Sequence, residues 1–134
     1  MSQPFEHICI IDDDMIYINL VSKIIELKKI AKNILVFKNG KEAIDYFINS
    51  IHIEDNEVVI PRVILLDLNM PVMDGWEFLE EFAKIKSKIN KKIDLYVVSS
   101  SINQQDIKRA KSNDVVLDYL TKPLQMDDFE KISV

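Results

Sequence analysis

Short apolar runs alternate with amphipathic segments along the whole chain. Mainly apolar runs, most of them ending at a polar residue, predict five strands at residues 8–11, 34–37, 63–66, 94–98 and 115–120. Apolar residues at helical spacing predict helices at residues 15–29, 43–51, 74–85, 103–111 and 124–132, of which the fourth is weak and polar. Residues 50–61 are mostly polar and predict an extended loop. Strands with apolar residues at consecutive positions are typical of a parallel sheet that helices cover on both faces.

The pattern therefore predicts a three-layer, doubly wound (βα)5 fold of the flavodoxin-like type. We expect a parallel five-stranded sheet of order 2-1-3-4-5, with right-handed crossovers. Asp74, followed by Glu77 three residues later, predicts a capping box at the start of the third helix. The first helix is predicted to turn Tyr17, Leu20 and Leu27 inward, together with Val21, Ile24 and Ile25. The third is predicted to bury Trp76, Leu79, Phe82, Ala83 and Ile85.

Length and composition narrow the class of protein further. The chain has 134 residues, of which 48% are hydrophobic, so we expect one domain over residues 1–134 with its own core. The net charge of −5 makes direct binding of nucleic acid unfavourable. No apolar stretch reaches the roughly 20 residues of a membrane span, the N-terminal residues do not resemble a signal peptide, and Cys9 has no partner for a disulfide. We therefore expect a cytoplasmic protein that does not enter a membrane.

Candidate chemistry lies where the predicted strands end. Asp12 and Asp13 follow the first strand, Asp67 the third, Ser99 the fourth and Lys122 the fifth. In the order 2-1-3-4-5 these strands are neighbours, and ligands of such sheets bind outside the carboxyl ends of the strands. Three carboxylates at one place attract a cation, and oxygen ligands favour a hard ion such as Mg²⁺. A carboxylate beside Mg²⁺ and a lysine is suited to accept a phosphoryl group.

Each of these residues alone has a simpler explanation. Asp12 and Asp13 are also typical helix caps, Ser99 a turn former, Tyr119 a core residue and Lys122 a solvated side chain. Their joint placement favours the functional interpretation. The segment after the third strand starts like a calcium-binding loop, but Val72 stands where that loop needs glycine.

Four segments in order closely resemble the response-regulator receiver family of two-component signalling. They are residues 8–13 (ICIIDD), 63–75 (VILLDLNMPVMDG), 97–99 (VVS) and 119–123 (YLTKP), and the resemblance covers essentially the whole chain. The loop at residues 50–61 is longer than is common in that family, and the last helix is shorter. The segment around Asp67 also resembles phosphatases of the haloacid dehalogenase type, but these need a second acid where Asn69 stands.

The resemblance implies a role for each site residue. Asp67 matches the phosphorylated aspartate. Asp13 matches the residue that binds Mg²⁺ directly, and Asp12 its partner, which often acts through water. The backbone carbonyl of Asn69 matches a further metal ligand. Asn69 and Ser101 also occupy positions that tune dephosphorylation in the family.

The remaining matches concern the switch. Ser99 matches the residue whose hydroxyl moves to the phosphoryl group, and Tyr119 the aromatic residue that turns inward with it. Lys122 matches the phosphate-binding lysine, and its bond to Pro123 is usually cis in the family. By this resemblance the chain is not an enzyme. It is a switch that a histidine kinase or histidine phosphotransfer protein phosphorylates and that an output protein recognises, with homodimerisation possible.

Other interpretations stay open on the sequence alone. We expect a stand-alone regulator, and the alternative is a receiver fragment of a longer regulator or hybrid kinase. A Mg²⁺-dependent phosphohydrolase that uses Asp67 would turn over many phosphate esters, whereas a switch takes up one phosphate per chain. A scaffold that works without phosphate would keep the fold and not the chemistry.

Overall fold

The computed structural model describes residues 3–53 and 58–133. Strands and helices alternate from end to end. The strands are β1 (Phe5–Ile11), β2 (Ala31–Phe37), β3 (Val63–Leu66), β4 (Asp94–Ser99) and β5 (Val116–Thr121). The helices are α1 (Met15–Leu27), α2 (Gly40–Ile51), α3 (Gly75–Ile85), α4 (Gln104–Lys111) and α5 (Met126–Ile132), with a short 3₁₀ turn at Lys86–Lys88 after α3.

All neighbouring strands pair in parallel, and the sheet order is β2-β1-β3-β4-β5. The predicted fold class and strand order are therefore confirmed. β1 and β2 begin earlier than predicted, because their backbone pairing starts at Phe5 and Ala31. β2 lies at the sheet edge, where exposed polar residues such as Lys32 and Asn33 do not disturb the pairing.

The sheet separates two apolar layers. Cys9 and Ile11 contribute to the layer under α2, α3 and α4, where Phe47, Phe78 and Phe82 are fully buried. Ile8 and Ile10, which alternate with Cys9 and Ile11 along β1, contribute to the layer under α1 and α5. They do so because successive side chains of a strand point to opposite faces of the sheet. The layers hold the helices against the sheet and leave the ends of the strands free to carry polar residues.

Side-chain caps begin α1 and α3, the helices that follow β1 and β3. Asp14 accepts hydrogen bonds from the backbone N–H groups of Ile16 and Tyr17 at the start of α1. Asp74 and Glu77 form the predicted capping box of α3. Such caps satisfy backbone donors that have no partner in the first turn of a helix, and each contributes about 1 kcal/mol.

Some predicted details are wrong. α1 ends at Leu27, not at residue 29, and Leu20 and Leu27 are 57% and 72% exposed. The helix buries Val21 and Ile25, as predicted, together with Ile18, which was not predicted. Their spacing of three and four residues places them on one helical face. Ala83 of α3 is exposed as well. α2 begins at Gly40, three residues before its predicted start, and ends at Ile51 as predicted, so the loop begins later than residue 50. Residues 54–57 of that loop lie outside the described residues. Within the described ranges, no helix is long and apolar enough to cross a bilayer.

Candidate functional site

Two buried carboxylates lie side by side at the carboxyl edge of the sheet. Ile11 of β1 pairs with Leu66 of β3, so the residues that follow them, Asp12 and Asp67, are neighbours. The Asp67 backbone N–H donates to the carbonyl of Ile11 at 2.9 Å and holds this register beyond the strand. Asp12 is 1% exposed and Asp67 7% exposed. Exposed Asp13 completes the group, with a carboxylate oxygen from each of the three acids within 4.8 Å of the others.

Lys122, which directly follows β5, brings a positive charge to this group at the same carboxyl edge of the sheet. Its backbone N–H donates to the carbonyl of Ser99 at 2.9 Å, and a cis bond joins it to Pro123. Its Nζ lies 2.8 Å from an oxygen of Asp12 and 3.5 Å from an oxygen of Asp67. One ammonium therefore serves two buried carboxylates, and the pocket keeps a negative charge.

The protonation of Asp67 reflects this imbalance. Burial raises the pKa of its carboxyl to about 6, and the negative charge of Asp12 acts in the same direction. Lys122 and the backbone N–H groups of Leu68 and Asn69 oppose that rise in pKa. Burial and a neighbouring like charge disfavour the ionised form of a carboxyl group. A cation bound by the three acids would lower the free energy of keeping Asp67 ionised. The carboxylate oxygens form a donor set that suits a hard divalent cation.

The β3–α3 loop positions Asp67 through close backbone packing. The Gly75 N–H donates to the carbonyl of Leu68 at 3.0 Å. A Cβ added at Gly75 would stand 2.3 Å from the carbonyl oxygen of Asp67, so only glycine fits here. Asn69 lies in the same loop, two residues after Asp67, and its side chain is exposed. Val72, at the exposed end of the loop, has a φ of 69°.

Ser99 and Tyr119 meet at the backbone of Ser101. The fully buried Ser99 hydroxyl accepts a hydrogen bond from the Ser101 N–H at 3.1 Å. The Tyr119 hydroxyl donates to the Ser101 carbonyl at 2.7 Å, which directs the ring inward. The Ser101 side chain donates to Asp106 of α4 at 2.9 Å. The end of β4 is thus connected both to β5 and to α4.

The family model for the response regulator receiver domain matches residues 8–133 of the chain. The chain belongs to this family. Among curated relatives of this receiver, the probable methanogenesis regulatory protein FilR2 of Methanothrix harundinacea is 32% identical over 124 residues, which cover 92% of the chain and 76% of FilR2. Response regulator Rcp1 of Synechocystis sp. is 29% identical over 132 residues, which cover 98% of the chain and 86% of Rcp1.

Solved structures agree with the receiver fold. A two-component response regulator from Cytophaga hutchinsonii matches with a TM-score of 0.83 and 26% identity, covering 96% of this chain and 94% of that one. The Mn²⁺-bound form of Rcp1 matches with a TM-score of 0.73 and 26% identity, covering 96% and 89%. The divalent cation in that relative is consistent with a metal at the acidic group of this receiver.

Tyr17 lies at the edge of this pocket, a position that the sequence pattern does not predict. Its ring packs against the apolar layer under α1, as predicted, and the ring centroid also lies 4.2 Å from Nζ of Lys122. The structure brings four of the predicted residues together at this edge of the sheet: Asp12, Asp13, Asp67 and Lys122. The signal that could have found Tyr17 is its place in the first turn of α1, three residues after Asp14.

Proposed function

We propose that this receiver is a phosphorylation-dependent switch that accepts a phosphoryl group on Asp67 from a histidine kinase or histidine phosphotransfer protein. The observation that carries the proposal is the buried pair of carboxylates, Asp12 and Asp67, that share the single ammonium of Lys122. A pocket with one nucleophilic carboxylate, one lysine and a strong demand for a further cation is suited to a transferring phosphoryl group.

The Asp67 carboxylate would act as the nucleophile. Its oxygen forms a bond to phosphorus while the bond from phosphorus to the donor's histidine nitrogen breaks, and the electron pair returns to the imidazole. With a pKa of about 6, Asp67 is mainly ionised at neutral pH and can attack. Lys122, 3.5 Å from Asp67, is close enough to neutralise charge on the phosphoryl oxygens.

We assign the metal site to Asp12, Asp13, Asp67 and the backbone carbonyl of Asn69, with Mg²⁺ as the ion. The oxygens of the three acids, within 4.8 Å of one another, support this assignment. When bound, Mg²⁺ supplies positive charge that stabilises the phosphoryl oxygens during transfer. The chain's own part is to hold these oxygens in place, which the pairing of β1 with β3 achieves for Asp12 and Asp67.

The switch would act through Ser101. A phosphoryl group adds a charge of about −1.5 to −2, which attracts the Ser99 hydroxyl away from the Ser101 N–H. The Ser101 carbonyl accepts a hydrogen bond from the Tyr119 hydroxyl, and the Ser101 side chain donates one to Asp106 of α4. Because the Tyr119 ring is already inward, we expect phosphorylation to increase the population of this inward position, although the bond between Ser99 and Ser101 is lost. The surface of α4, β5 and α5 would then present the change to an output protein.

The remaining features of the proposal follow from the family and the charge. We propose one receiver domain over residues 1–134 that acts in the cytoplasm and is not an enzyme. Its partners would be a phosphodonor protein and an output protein, with a second copy of the chain as a possible partner. The net charge of −5 argues against direct binding to nucleic acid.

Intact-protein mass spectrometry after incubation with acetyl phosphate and Mg²⁺ tests the proposal. We expect one phosphoryl adduct on the wild type, and none without Mg²⁺ or in Asp67→Asn. Asp45→Asn is the matched control, because Asp45 is an exposed carboxylate that pairs with Lys41 on α2, and it should form the adduct normally. An adduct that persists in Asp67→Asn would place the acceptor elsewhere. Rapid consumption of acetyl phosphate without an adduct would favour either a phosphohydrolase or a very short-lived phosphoaspartate. No reaction at all would leave either a receiver that only a kinase phosphorylates or a scaffold.

A further inference from the structure

The ring of Tyr17 lies against the lysine of the phosphorylation pocket. Tyr17 is the third residue of α1, and its ring centroid is 4.2 Å from Nζ of Lys122. The same Nζ contacts Asp12 at 2.8 Å and approaches Asp67 at 3.5 Å. A lysine over an aromatic face is a favourable contact, and here it holds the tyrosine beside the two buried carboxylates.

The hydroxyl group of Tyr17 is buried but makes no hydrogen bond to any residue that the structure describes. Within the described residues, the Tyr17 hydroxyl oxygen is the one buried side-chain polar atom without a hydrogen-bond partner. The hydroxyls of Tyr46 and Tyr119, by contrast, donate to the backbone carbonyls of Val59 and Ser101. A buried donor without an acceptor destabilises a folded protein, so phenylalanine would suit the site better if packing were its only purpose.

The surroundings of the hydroxyl favour a proton donor. Burial raises the pKa of the Tyr17 phenol, and the charges of Asp12 and Asp67 raise it further. The phenol therefore stays protonated at neutral pH. Phosphorylation of Asp67 would add strongly accepting oxygens to a pocket that already holds this unused donor.

We propose that the Tyr17 hydroxyl donates a hydrogen bond to a phosphoryl oxygen on Asp67, as a phosphoryl-binding residue in addition to Lys122 and Ser99. The inference rests on the proposed function, because it needs a phosphoryl group at Asp67. Tyr17 would then stabilise the phosphorylated state relative to the unphosphorylated one. Hydrolysis, in which a water oxygen bonds to phosphorus and the bond from phosphorus to the Asp67 oxygen breaks, would release inorganic phosphate and end the contact.

Calorimetric titration with beryllium fluoride, a stable mimic of a phosphoryl group on a carboxylate, tests this contact at saturating Mg²⁺. Tyr17→Phe keeps the ring against Lys122 and removes only the hydroxyl. We expect it to bind beryllium fluoride about tenfold more weakly, or worse, since a hydrogen bond to a charged group is lost. Its affinity for Mg²⁺ alone and its unfolding midpoint in urea should be unchanged, or the midpoint raised.

Tyr46→Phe is the matched control, because it removes a hydroxyl that already has a protein partner between α2 and the following segment. It should lower the unfolding midpoint and leave beryllium fluoride affinity unchanged. Equal affinity of Tyr17→Phe and the wild type would overturn the inference about Tyr17. If the wild type itself bound no better than Asp67→Asn, the proposed function would fail instead, so the two failures are distinguishable. A lowered unfolding midpoint in Tyr17→Phe would also count against the inference, because it would reveal a structural partner for the hydroxyl.

Discussion

The burial of Asp67 beside Asp12 makes the unphosphorylated, metal-free protein less stable than it could be. Asp67→Asn should therefore stabilise that form at neutral pH, although it removes the proposed phosphate acceptor. Asparagine has nearly the shape of the protonated carboxyl group and carries no charge. Such a gain in folding stability is expected at a functional site, where a residue is kept for activity although another residue would make the folded protein more stable.

The magnitude follows from the pKa of Asp67. The carboxyl has a pKa of about 6 in the folded protein and an ordinary value of 3.8. At about 1.4 kcal/mol per pKa unit, the ionised carboxylate disfavours the folded state by about 3 kcal/mol. This value already contains the attraction of Lys122, which lowers the pKa. We therefore expect Asp67→Asn to raise the free energy of unfolding by up to about 3 kcal/mol above pH 7.

The pH dependence has a definite direction. Well below pH 3.8 the carboxyl is protonated in both states, so the two variants should be equally stable on this account. As pH rises from 3.8 to about 6, the unfolded wild type releases its proton while the folded protein keeps it. The wild type loses stability relative to Asp67→Asn in this window, and above it the difference stays constant.

Urea unfolding between pH 4 and pH 8 in the presence of a chelator measures this difference. Asp45→Asn serves as the control, because its exposed pair with Lys41 contributes at most about 1 kcal/mol. Added Mg²⁺ should stabilise the wild type more than Asp67→Asn, which lacks one carboxylate of the proposed metal site. A wild type that is as stable as Asp67→Asn at pH 7.5, or a difference that does not shrink towards pH 4, would refute the reasoning.

Three further predictions concern the loop and helix that position Asp67. Gly75→Ala should destabilise the protein by roughly 1–3 kcal/mol and slow adduct formation, because the added Cβ would overlap the backbone of Asp67. Urea unfolding measures the loss of stability, and mass spectrometry measures the rate of adduct formation. Val72→Asn should stabilise it by roughly 1 kcal/mol, because Val72 has a φ of 69° and is 79% exposed, and asparagine tolerates this conformation better; an unchanged midpoint in thermal unfolding would contradict this. Asp74→Ala should cost about 1 kcal/mol through loss of the capping box with Glu77, and Glu77→Ala should show a smaller loss in the same urea experiment.

Local patterns in the sequence determined the order of the elements and the edge of the sheet that carries the chemistry. Buried parallel strands need consecutive apolar residues, and each such run ends where the chain leaves the sheet, so Asp12 and Asp67 were identifiable as strand-end carboxylates. The capping box of Asp74 and Glu77 was predictable for the same reason, because its partners lie within one helical turn.

Contacts between distant parts of the chain decided the rest. Leu20 and Leu27 have the spacing of buried residues, but only the packing of α1 against the sheet determines which face is covered. Lys122 reaches Asp12 across 110 positions of sequence, and the same lysine places Tyr17 at the pocket. Periodicity describes one element at a time, whereas the charge, burial and hydrogen bonding of the pocket depend on how three strands and a helix meet. The sequence therefore determined which residues could form the site, and the tertiary structure decided their distances and the role left open for Tyr17.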